Sequence, residues 1–376
     1  MRRNIFDPLH DEYRASVREF LRREGVPHVE RWEEAGQVDR TFWTKAAQAG
    51  LLGFEVPEEY GGSGLRDFRY NAIVNEEMNF LRVSGDYLLL ANDIIAPYLL
   101  DLTTEAQKER WLPGFASGAT VAAIAMSEPE AGSDLRGIRA LVTPHGAMYR
   151  LSGNKTFVTS GIQAGLVIVF AHFSPGGYVL VVVEDGMPGF ERGRKLAKIG
   201  RRSTDTAELF FDNVPIPPEN ILGTPGEGLG LVMRNLPRER LGIAVGGLAA
   251  AEAAFDATLT HVKGRNAFGQ PVGSFQAIRF MMAEMRTELS VARAYIDRCI
   301  CAVNSGELGP DEAAGAKYWT TELQNRVIDT CLQLHGGYGY MEEYPIARQW
   351  RDARVQRIYG GTNEIMRDIV GRSLGL

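Results

Sequence analysis

The glycine-rich stretch GEGLG (226–230) is the part of the sequence nearest to a dinucleotide-binding loop. Such a loop needs the spacing G-x-G-x-x-G directly after a strand, because its backbone N–H groups must approach a pyrophosphate closely. Here the spacing differs, and a long helical pattern follows without alternating strands and helices. The stretch is therefore predicted to be the flexible start of a helix.

Motifs of other common chemistries are absent from the sequence. It contains no H-E-x-x-H zinc motif, no phosphate-binding Walker loop and no G-x-S-x-G nucleophile elbow. Cys299, Cys301 and Cys331 are too few and too helically placed for a disulfide framework, and their spacing fits no metal site. If the chain is an enzyme, its chemistry depends on a group bound in another way, and we expect no metal.

Charge and length narrow the class of protein. The chain has 376 residues, 45% of them hydrophobic, and a formal net charge of −6, which disfavours nucleic acid as a partner. Apolar runs such as LGIAVGGLAAA (241–251) fall short of the roughly 20 residues of a membrane span. The charged first dozen residues fit no signal-peptide apolar region, so we expect a cytoplasmic protein.

The composition and the hydrophobic periodicity of the sequence divide the chain into three regions. Residues 1–116 show helical spacing, for example at Tyr13, Val17 and Phe20. Residues 117–225 contain short runs of β-branched and aromatic residues separated by Pro, Gly, Asn and Asp. Helical periodicity returns in residues 226–376, with long stretches near 228–263, 272–303 and 309–335. The predicted fold class is α+β: an N-terminal α-helical domain, a middle β-barrel or sandwich domain, and a C-terminal four-helix bundle.

Six long motifs, in order along almost the whole chain, resemble the acyl-CoA dehydrogenase family. They are AIAMSEPEAGSDL (123–135), GNKTFVTSG (153–161), KIGRRSTDTAELFFDNVPIP (198–217), RNAFGQPVGSFQAI (265–278), QLHGGYGYMEEYP (333–345) and RIYGGTNEIMRDIVGRSL (357–374).

The resemblance implies a fold, a cofactor, partners and a reaction. The family's architecture matches the helical, β, helical order of the three regions. FAD is expected, held by the middle domain and by the C-terminal bundles of the same and a neighbouring subunit, in a homotetramer or dimer. The implied reaction removes the α-proton and the β-hydride of an acyl-CoA thioester, with flavin N5 as hydride acceptor and an electron-transfer flavoprotein as electron acceptor.

The position of the base departs from the commonest pattern of the family. Most relatives carry a glutamate in Y-E-G-T, where this chain has Gly360. The long-chain and isovaleryl enzymes carry it on an earlier helix in a segment ending E-R-L, and NLPRERLGIA (235–244) supplies Glu239 there. The resemblance therefore implies Glu239 as the base, with Gly360 offering its backbone N–H to the thioester carbonyl. A solvated glutamate in a first helical turn is the alternative for Glu239.

The resemblance also assigns cofactor and substrate contacts. Ser127 and Thr159 are expected near the flavin ring, and Phe157 stands where many relatives have a tryptophan, with core packing as its alternative. Ser133 resembles a contact to CoA, with a generic turn hydroxyl as its alternative. Arg240 is expected to orient the helix of the base or CoA, with an ordinary surface arginine as the alternative. Arg265, Phe268 and Gln276 match contacts to the pyrophosphate and adenine region of FAD. Gln333, Gly336 and Gly337 match a loop that approaches the pyrophosphate of a neighbouring subunit's FAD, and Thr362 and Glu364 fall at further FAD-contact positions.

Some features of the reaction stay open from sequence. Met126 and Met233 could line the acyl cavity, but apolar residues at helical spacing are more often core. The position of the base favours a long or branched acyl chain, because the two relatives that share it have those preferences. An oxidase reoxidised by O₂ and a non-catalytic flavoprotein subunit are the alternative functions.

Overall fold

A computed structural model describes residues 3–83 and 85–376 of the chain. The first third is helical, as predicted, and its core includes Val17, Phe20 and Leu21 from the predicted apolar face of the first helix. Three of its helices begin at side-chain caps. Asp7 accepts from the backbone of Leu9 and His10, Asp67 accepts from the backbone of Arg69, and Thr104 forms a capping box with Gln107. The helices are α1 (Pro8–Glu24), α2 (Val29–Ala35), α3 (Arg40–Gln48), α4 (Phe68–Phe80), α5 (Tyr87–Leu89), α6 (Ala96–Asp101) and α7 (Glu105–Ala116).

A π-helical segment, Leu90–Ile95, joins α5 to α6. Such segments are rare and occur frequently at functional sites. Its buried Asp93 accepts hydrogen bonds from Asn71 and Asn75 on α4, so the irregular turn is fixed by polar contacts inside the helical region.

The middle region forms one connected sheet of eight strands, in the order β6-β7-β3-β2-β4-β5-β8, with β1 paired to β4. Apolar residues alternate along β3 to β5, and the buried ones form a core that is separate from the cores of the helical regions. Most pairs are antiparallel, but β1 and β2 both pair with β4 in parallel. The strands are β1 (Ala122–Ala125), β2 (Leu141–His145), β3 (Met148–Thr159), β4 (Leu166–Phe173), β5 (Tyr178–Glu184), β6 (Phe190–Lys195), β7 (Thr206–Ile216) and β8 (Ile221–Gly226).

The pairing of β3 with β7 is interrupted by a register shift between Lys155 and Val158. Phe157 lies inside this irregularity with φ +58°, a conformation that a bulky residue rarely adopts. A bulge changes the direction in which a side chain points. The phenyl ring is 69% exposed instead of joining the core of the sheet, so the packing alternative for Phe157 is wrong.

The last third is again helical, and α8 packs against α4, α9 and α10. α9 begins at Gln276 and not near 272, because Val272–Ser274 forms a 3₁₀ turn. α10 begins at Pro310, after Gly309, close to the predicted start at 309. The elements are α8 (Gly228–Gly264), the short strands β9 (Asn266–Ala267) and β10 (Gln270–Pro271), α9 (Gln276–Asn304), α10 (Pro310–His335), α11 (Pro345–Ala353) and α12 (Asn363–Ser373).

The helix α8 is the central element of this region. By length and composition alone it could cross a membrane, yet 83% of its most apolar window is buried inside the protein. The stretch GEGLG ends β8 and begins α8, as predicted. Pro237 lies within the helix and removes one N–H from its hydrogen-bond ladder, two residues before Glu239.

Candidate active site

A cavity of about 950 Å³ lies where the two helical regions meet the sheet. The π-helical segment and α5 supply Leu89, Leu90 and Ile94, and α8 supplies Met233, Leu236, Glu239 and Arg240. The strand ends and the loop before α12 supply Ile124, Met126, Ser127, Ser133, Phe157, Thr159, Tyr359, Gly360 and Gly361. Seven of the residues predicted from sequence therefore lie around one cavity: Ser127, Ser133, Phe157, Thr159, Glu239, Arg240 and Gly360.

Glu239 is a buried carboxylate on the wall of this cavity. Its side chain is 5% exposed, so it is not the solvated glutamate of the alternative interpretation. Burial raises the pKa of Glu239 to about 7, although Tyr98 and Arg240 act in the opposite direction. The Tyr98 hydroxyl donates to Oε1 of Glu239 at 3.0 Å. A carboxylate with such a pKa can exchange a proton near neutral pH.

The backbone at Gly360 and Gly361 explains why this loop carries no acid. Both residues have positive φ, +64° and +89°, which glycine adopts without strain. A Cβ at residue 360 would lie 2.4 Å from Cδ1 of Ile243, one turn after Glu239 on α8. A side chain at residue 360 would thus compete for space with the helix that carries Glu239.

Two buried cations hold the glycine loop in place. Nε of Arg240 donates to the Gly360 carbonyl at 3.3 Å, and Arg240 is buried, so the surface-arginine alternative is wrong. Nζ of Lys317 donates to the Gly361 carbonyl at 2.8 Å and to Oδ1 of Asn363. Burial lowers the pKa of Lys317 to about 7. These contacts fix the carbonyls of the loop at its helix side.

The sheet wall of the cavity combines an exposed ring with hydroxyl groups. Phe157 presents its ring there, and Ser127 and Thr159 line the same wall. Beneath them Nζ of Lys155, fully buried, donates to Glu128 at 2.8 Å and to the Met126 carbonyl. This buried ion pair ties the chain after β1 to β3.

The residues of the sheet wall fit a flat, polar-edged ring such as a flavin. An aromatic ring held at positive φ and left 69% exposed has an unfilled contact surface, and aromatic faces stack on planar rings. Hydroxyl groups beside it can hydrogen-bond the edge of such a ring. Ser127, Phe157 and Thr159 would therefore hold a flavin from this side.

The remaining predicted contacts do not lie on this cavity. Arg265, Gln333, Gly336 and Gly337 line a second, open pocket of about 580 Å³ at the end of α10. Phe268, at the turn between β9 and β10, is 94% exposed, and Gln276 begins α9. This separation within one chain is what contacts to a neighbouring subunit's cofactor would require.

Thr362 and Glu364 lie at the start of α12, next to the cavity. The Thr362 hydroxyl accepts from the Ile365 N–H as the helix cap, and Glu364 is exposed in the first turn. Neither is on the cavity wall, so their cofactor role stays a prediction. His335 stacks on His261 with ring centroids 4.2 Å apart, and its Nδ1 donates to the Cys331 carbonyl at 2.8 Å, so the ring is packed against the helices.

Sequence reasoning missed several residues of the site. Met126 and Met233 line the cavity, which is the less favoured of the two interpretations that their sequence allows. Tyr98 lies in the apolar run IIAPYLL, where an aromatic residue indicates only core packing. Lys317 lies in the middle of α10, and nothing in its neighbours indicates a buried cation. Among residues 3–83 and 85–376, no cluster of His, Cys, Asp and Glu could hold a metal ion.

Comparisons with known proteins give the family. Residues 7–119, 123–214 and 226–375 match the N-terminal, middle and C-terminal domains of acyl-CoA dehydrogenase. The mouse long-chain specific acyl-CoA dehydrogenase is 44% identical over 99% of this chain and 88% of its own. An Arabidopsis thaliana isovaleryl-CoA dehydrogenase is 36% identical over 98% of this chain and 92% of its own.

A solved structure supports the same conclusion. The crystal structure of an acyl-CoA dehydrogenase from Geobacillus kaustophilus superposes with a TM-score of 0.96, at 44% identity and 99% coverage of both chains. The three domain matches follow the observed order of helices, sheet and helices. The chain belongs to the acyl-CoA dehydrogenase family of oxidoreductases.

Proposed function

We propose that the protein catalyses the α,β-dehydrogenation of a long-chain or branched acyl-CoA to the trans-2-enoyl-CoA, with Glu239 as the base. The observation that carries the proposal is a buried carboxylate, with a pKa near neutrality, on a cavity shared with a glycine loop. The similarity to long-chain and isovaleryl enzymes supports the substrate class.

Different residues of the cavity have different roles in the proton transfer. The thioester α-carbon is a weak acid, so its proton leaves only when the carbonyl oxygen is stabilised as negative charge develops there. The Gly360 N–H can donate to that oxygen. Glu239 takes the proton, and the apolar side chains that line the cavity exclude water around the acyl chain, among them Leu89, Leu90 and Leu236.

The cofactor of this proposal is FAD. Ser127, Phe157 and Thr159 would hold its ring, and Thr362 and Glu364 are further expected contacts. Bound FAD would supply the group that accepts the hydride from the β-carbon. Glu239 and the Gly360 loop determine which carbon loses its proton.

The second pocket supports a proposal about how subunits assemble. Arg265, Gln333, Gly336 and Gly337 would contact the FAD of a neighbouring subunit, with Phe268 and Gln276 nearby. The second pocket supports a homo-oligomer, a tetramer or a dimer, as part of the proposal. The family resemblance supports an electron-transfer flavoprotein as electron acceptor, and the location in the cytoplasm stays a prediction.

An anaerobic titration with acyl-CoAs of different length and branching tests the proposal. We expect the wild type to lose its flavin absorbance with one chain class, whereas Glu239→Gln binds the same acyl-CoA without that loss. Equal loss in the variant would contradict the assignment of the base. Absence of bleaching with every acyl-CoA would contradict the dehydrogenase function, and rapid O₂ consumption by the reduced protein would favour an oxidase.

A further inference from the structure

We propose that Tyr98 is a positioning residue that keeps the Glu239 carboxylate ionised and fixes its orientation toward the substrate. This inference rests on the proposed role of Glu239 as the base. It concerns a residue of α6 in the N-terminal helical region, whereas Glu239 belongs to α8 in the C-terminal region.

The contact is direct and hidden from the cavity. The Tyr98 hydroxyl donates to Oε1 of Glu239 at 3.0 Å, and Tyr98 has 0% of its surface exposed. Tyr98 is also not among the residues that line the cavity. It therefore cannot touch an acyl-CoA and can act on the reaction only through the carboxylate.

The protonation state of the phenol suits this role. Burial and the neighbouring Glu239 raise the pKa of Tyr98 well above its ordinary value, so the hydroxyl keeps its proton throughout the working range. Asn235, one turn before Glu239 on α8, lowers the Tyr98 pKa, but its Nδ2 has no hydrogen-bond partner within the described residues. The one hydrogen bond of the phenol O–H within the described residues is therefore its donation to Glu239.

The carboxylate has few other sources of stabilisation. Within the described residues, Tyr98 gives the one side-chain hydrogen bond to Glu239, and Arg240 is the one cation that lowers its pKa. The Nε of Arg240 donates its hydrogen bond to the Gly360 carbonyl. Lys317 on α10 interacts electrostatically with Arg240, and Asp93 lies against Gly242. The other charged residues that line the cavity are Asp86, Asp134, Arg136 and Arg372, and none of them shifts the Glu239 pKa.

The two carboxylate oxygens of Glu239 therefore have different roles. Tyr98 holds Oε1 from the buried side, so Oε2 is left to receive the α-proton. A hydrogen bond to a charged group contributes more than one between neutral groups, so its loss would favour the neutral acid. Without Tyr98 the base would be protonated over a wider pH range.

The variant Tyr98→Phe tests this inference, and Tyr87→Phe is its matched control. Tyr87 is an equally buried tyrosine whose hydroxyl has no hydrogen-bond partner within the described residues. The acidic limb of the pH profile of kcat/KM reports the base of the free enzyme. We expect Tyr98→Phe to move this limb upward by about one pH unit, with roughly tenfold lower kcat/KM below it, and Tyr87→Phe to leave it unchanged.

An infrared pH titration of the Glu239 carboxyl band, identified by subtraction of Glu239→Gln, gives a readout without turnover. The same upward shift should appear there in Tyr98→Phe. Site-specific replacement of Tyr98 by 3-fluorotyrosine, a stronger donor of similar size, should move the band downward and keeps the test informative if the phenylalanine variant folds poorly. Unshifted profiles in both replacements would overturn the inference.

The two proposals fail in different ways. If Glu239→Gln reduces flavin as fast as the wild type, the base itself has been assigned wrongly. If Glu239→Gln is inactive but Tyr98→Phe matches Tyr87→Phe at every pH, only the role of Tyr98 is wrong.

Discussion

Glu239 shows how burial converts an ordinary carboxylate into a base suited to neutral pH. A solvated glutamate is ionised but weakly basic, and a fully isolated buried one stays protonated. In this protein the desolvation of Glu239 is opposed by the Tyr98 hydrogen bond and by Arg240. The pKa of about 7 is the balance of these effects, and it belongs to the environment of residue 239 and not to the residue type.

This raised pKa predicts a pH-dependent stability difference. A carboxyl group whose pKa is higher in the folded state stabilises the fold below its ordinary pKa, and the contribution is lost as pH rises through the folded value. Between pH 4.5 and about 7 the wild type should lose about 3 kcal/mol relative to Glu239→Gln.

Thermal unfolding of the two proteins across this range, without substrate, measures the difference. We expect the midpoint of Glu239→Gln to rise relative to the wild type as the pH increases. A difference that stays constant with pH would show that Glu239 has an ordinary pKa in the folded protein.

The helix α8 and the glycine loop act as one unit around the base. Helix α8 carries Glu239 and Arg240 on one turn and Ile243 on the next, and Ile243 fills the space beside Gly360. The sequence predicted the extent of α8 and the missing acid at 360. It could not predict that a Cβ there would meet Ile243, because that contact depends on how two distant segments pack.

The substitution Gly360→Ala is predicted to damage this unit. Its φ of +64° is strained for alanine, and the new Cβ would displace Ile243, at a cost of about 1–3 kcal/mol in stability. Flavin reduction should slow as well, because the loop N–H moves. Gly230→Ala is the control: it lies within α8 with nothing within 4 Å, and should be neutral or slightly stabilising.

Differential thermal unfolding and rapid-mixing flavin reduction on these two variants check the prediction. If Gly360→Ala unfolds at the same temperature as the wild type and its flavin is reduced at the same rate, the loop does not need a glycine at residue 360.

The three regions are joined by buried ion pairs as well as by the cavity. Arg201, in the loop between β6 and β7, contacts Asp86 at 2.6 Å and the Asp352 carbonyl, and so links all three regions. Glu76 on α4 contacts Arg3, Arg14 and, on α9, Arg293. These contacts fix the helical regions on both sides of the active-site cavity.

The composition along the chain predicted the order of helical, sheet and helical regions, because periodicity and turn residues are local signals. Seven of the residues that the family resemblance assigned to the site line one cavity in the structure. The ion pairs between regions and the Tyr98 contact were not predictable, since charged and aromatic residues at those positions also occur on surfaces and in cores. Likewise, the exposed ring of Phe157 depends on a bulge that the strand pattern does not reveal.

The substitution Glu76→Gln should loosen the contact between the helical regions. Glu76 is fully buried, and its arginine partners hold its pKa down at about 2 despite the burial. Each arginine keeps a second carboxylate partner, namely Asp297 for Arg3, Glu77 for Arg14 and Glu252 for Arg293. Removing the Glu76 charge should cost about 3 kcal/mol at neutral pH, which is the free energy that corresponds to the lowered pKa. Because the pKa is lowered, this contribution is present above pH 4.5 and is lost as the pH falls toward 2.

Thermal midpoints of Glu76→Gln and wild type, compared at neutral pH and below pH 4.5, measure this effect. Glu105→Gln removes an exposed pair with Lys108 and should change little. A Glu76→Gln protein as stable as Glu105→Gln at neutral pH would mean that the buried pairs are dispensable.

Exchange of the substrate α-proton in deuterium oxide tests the role of Glu239 most directly, because it isolates the proton transfer from the later electron transfer. Acyl-CoA would be incubated anaerobically with the wild type or with Glu239→Gln, and deuterium at the α-carbon followed by mass spectrometry. We predict exchange with the wild type and none above background with the variant. Equal exchange by both proteins would show that another group takes the proton.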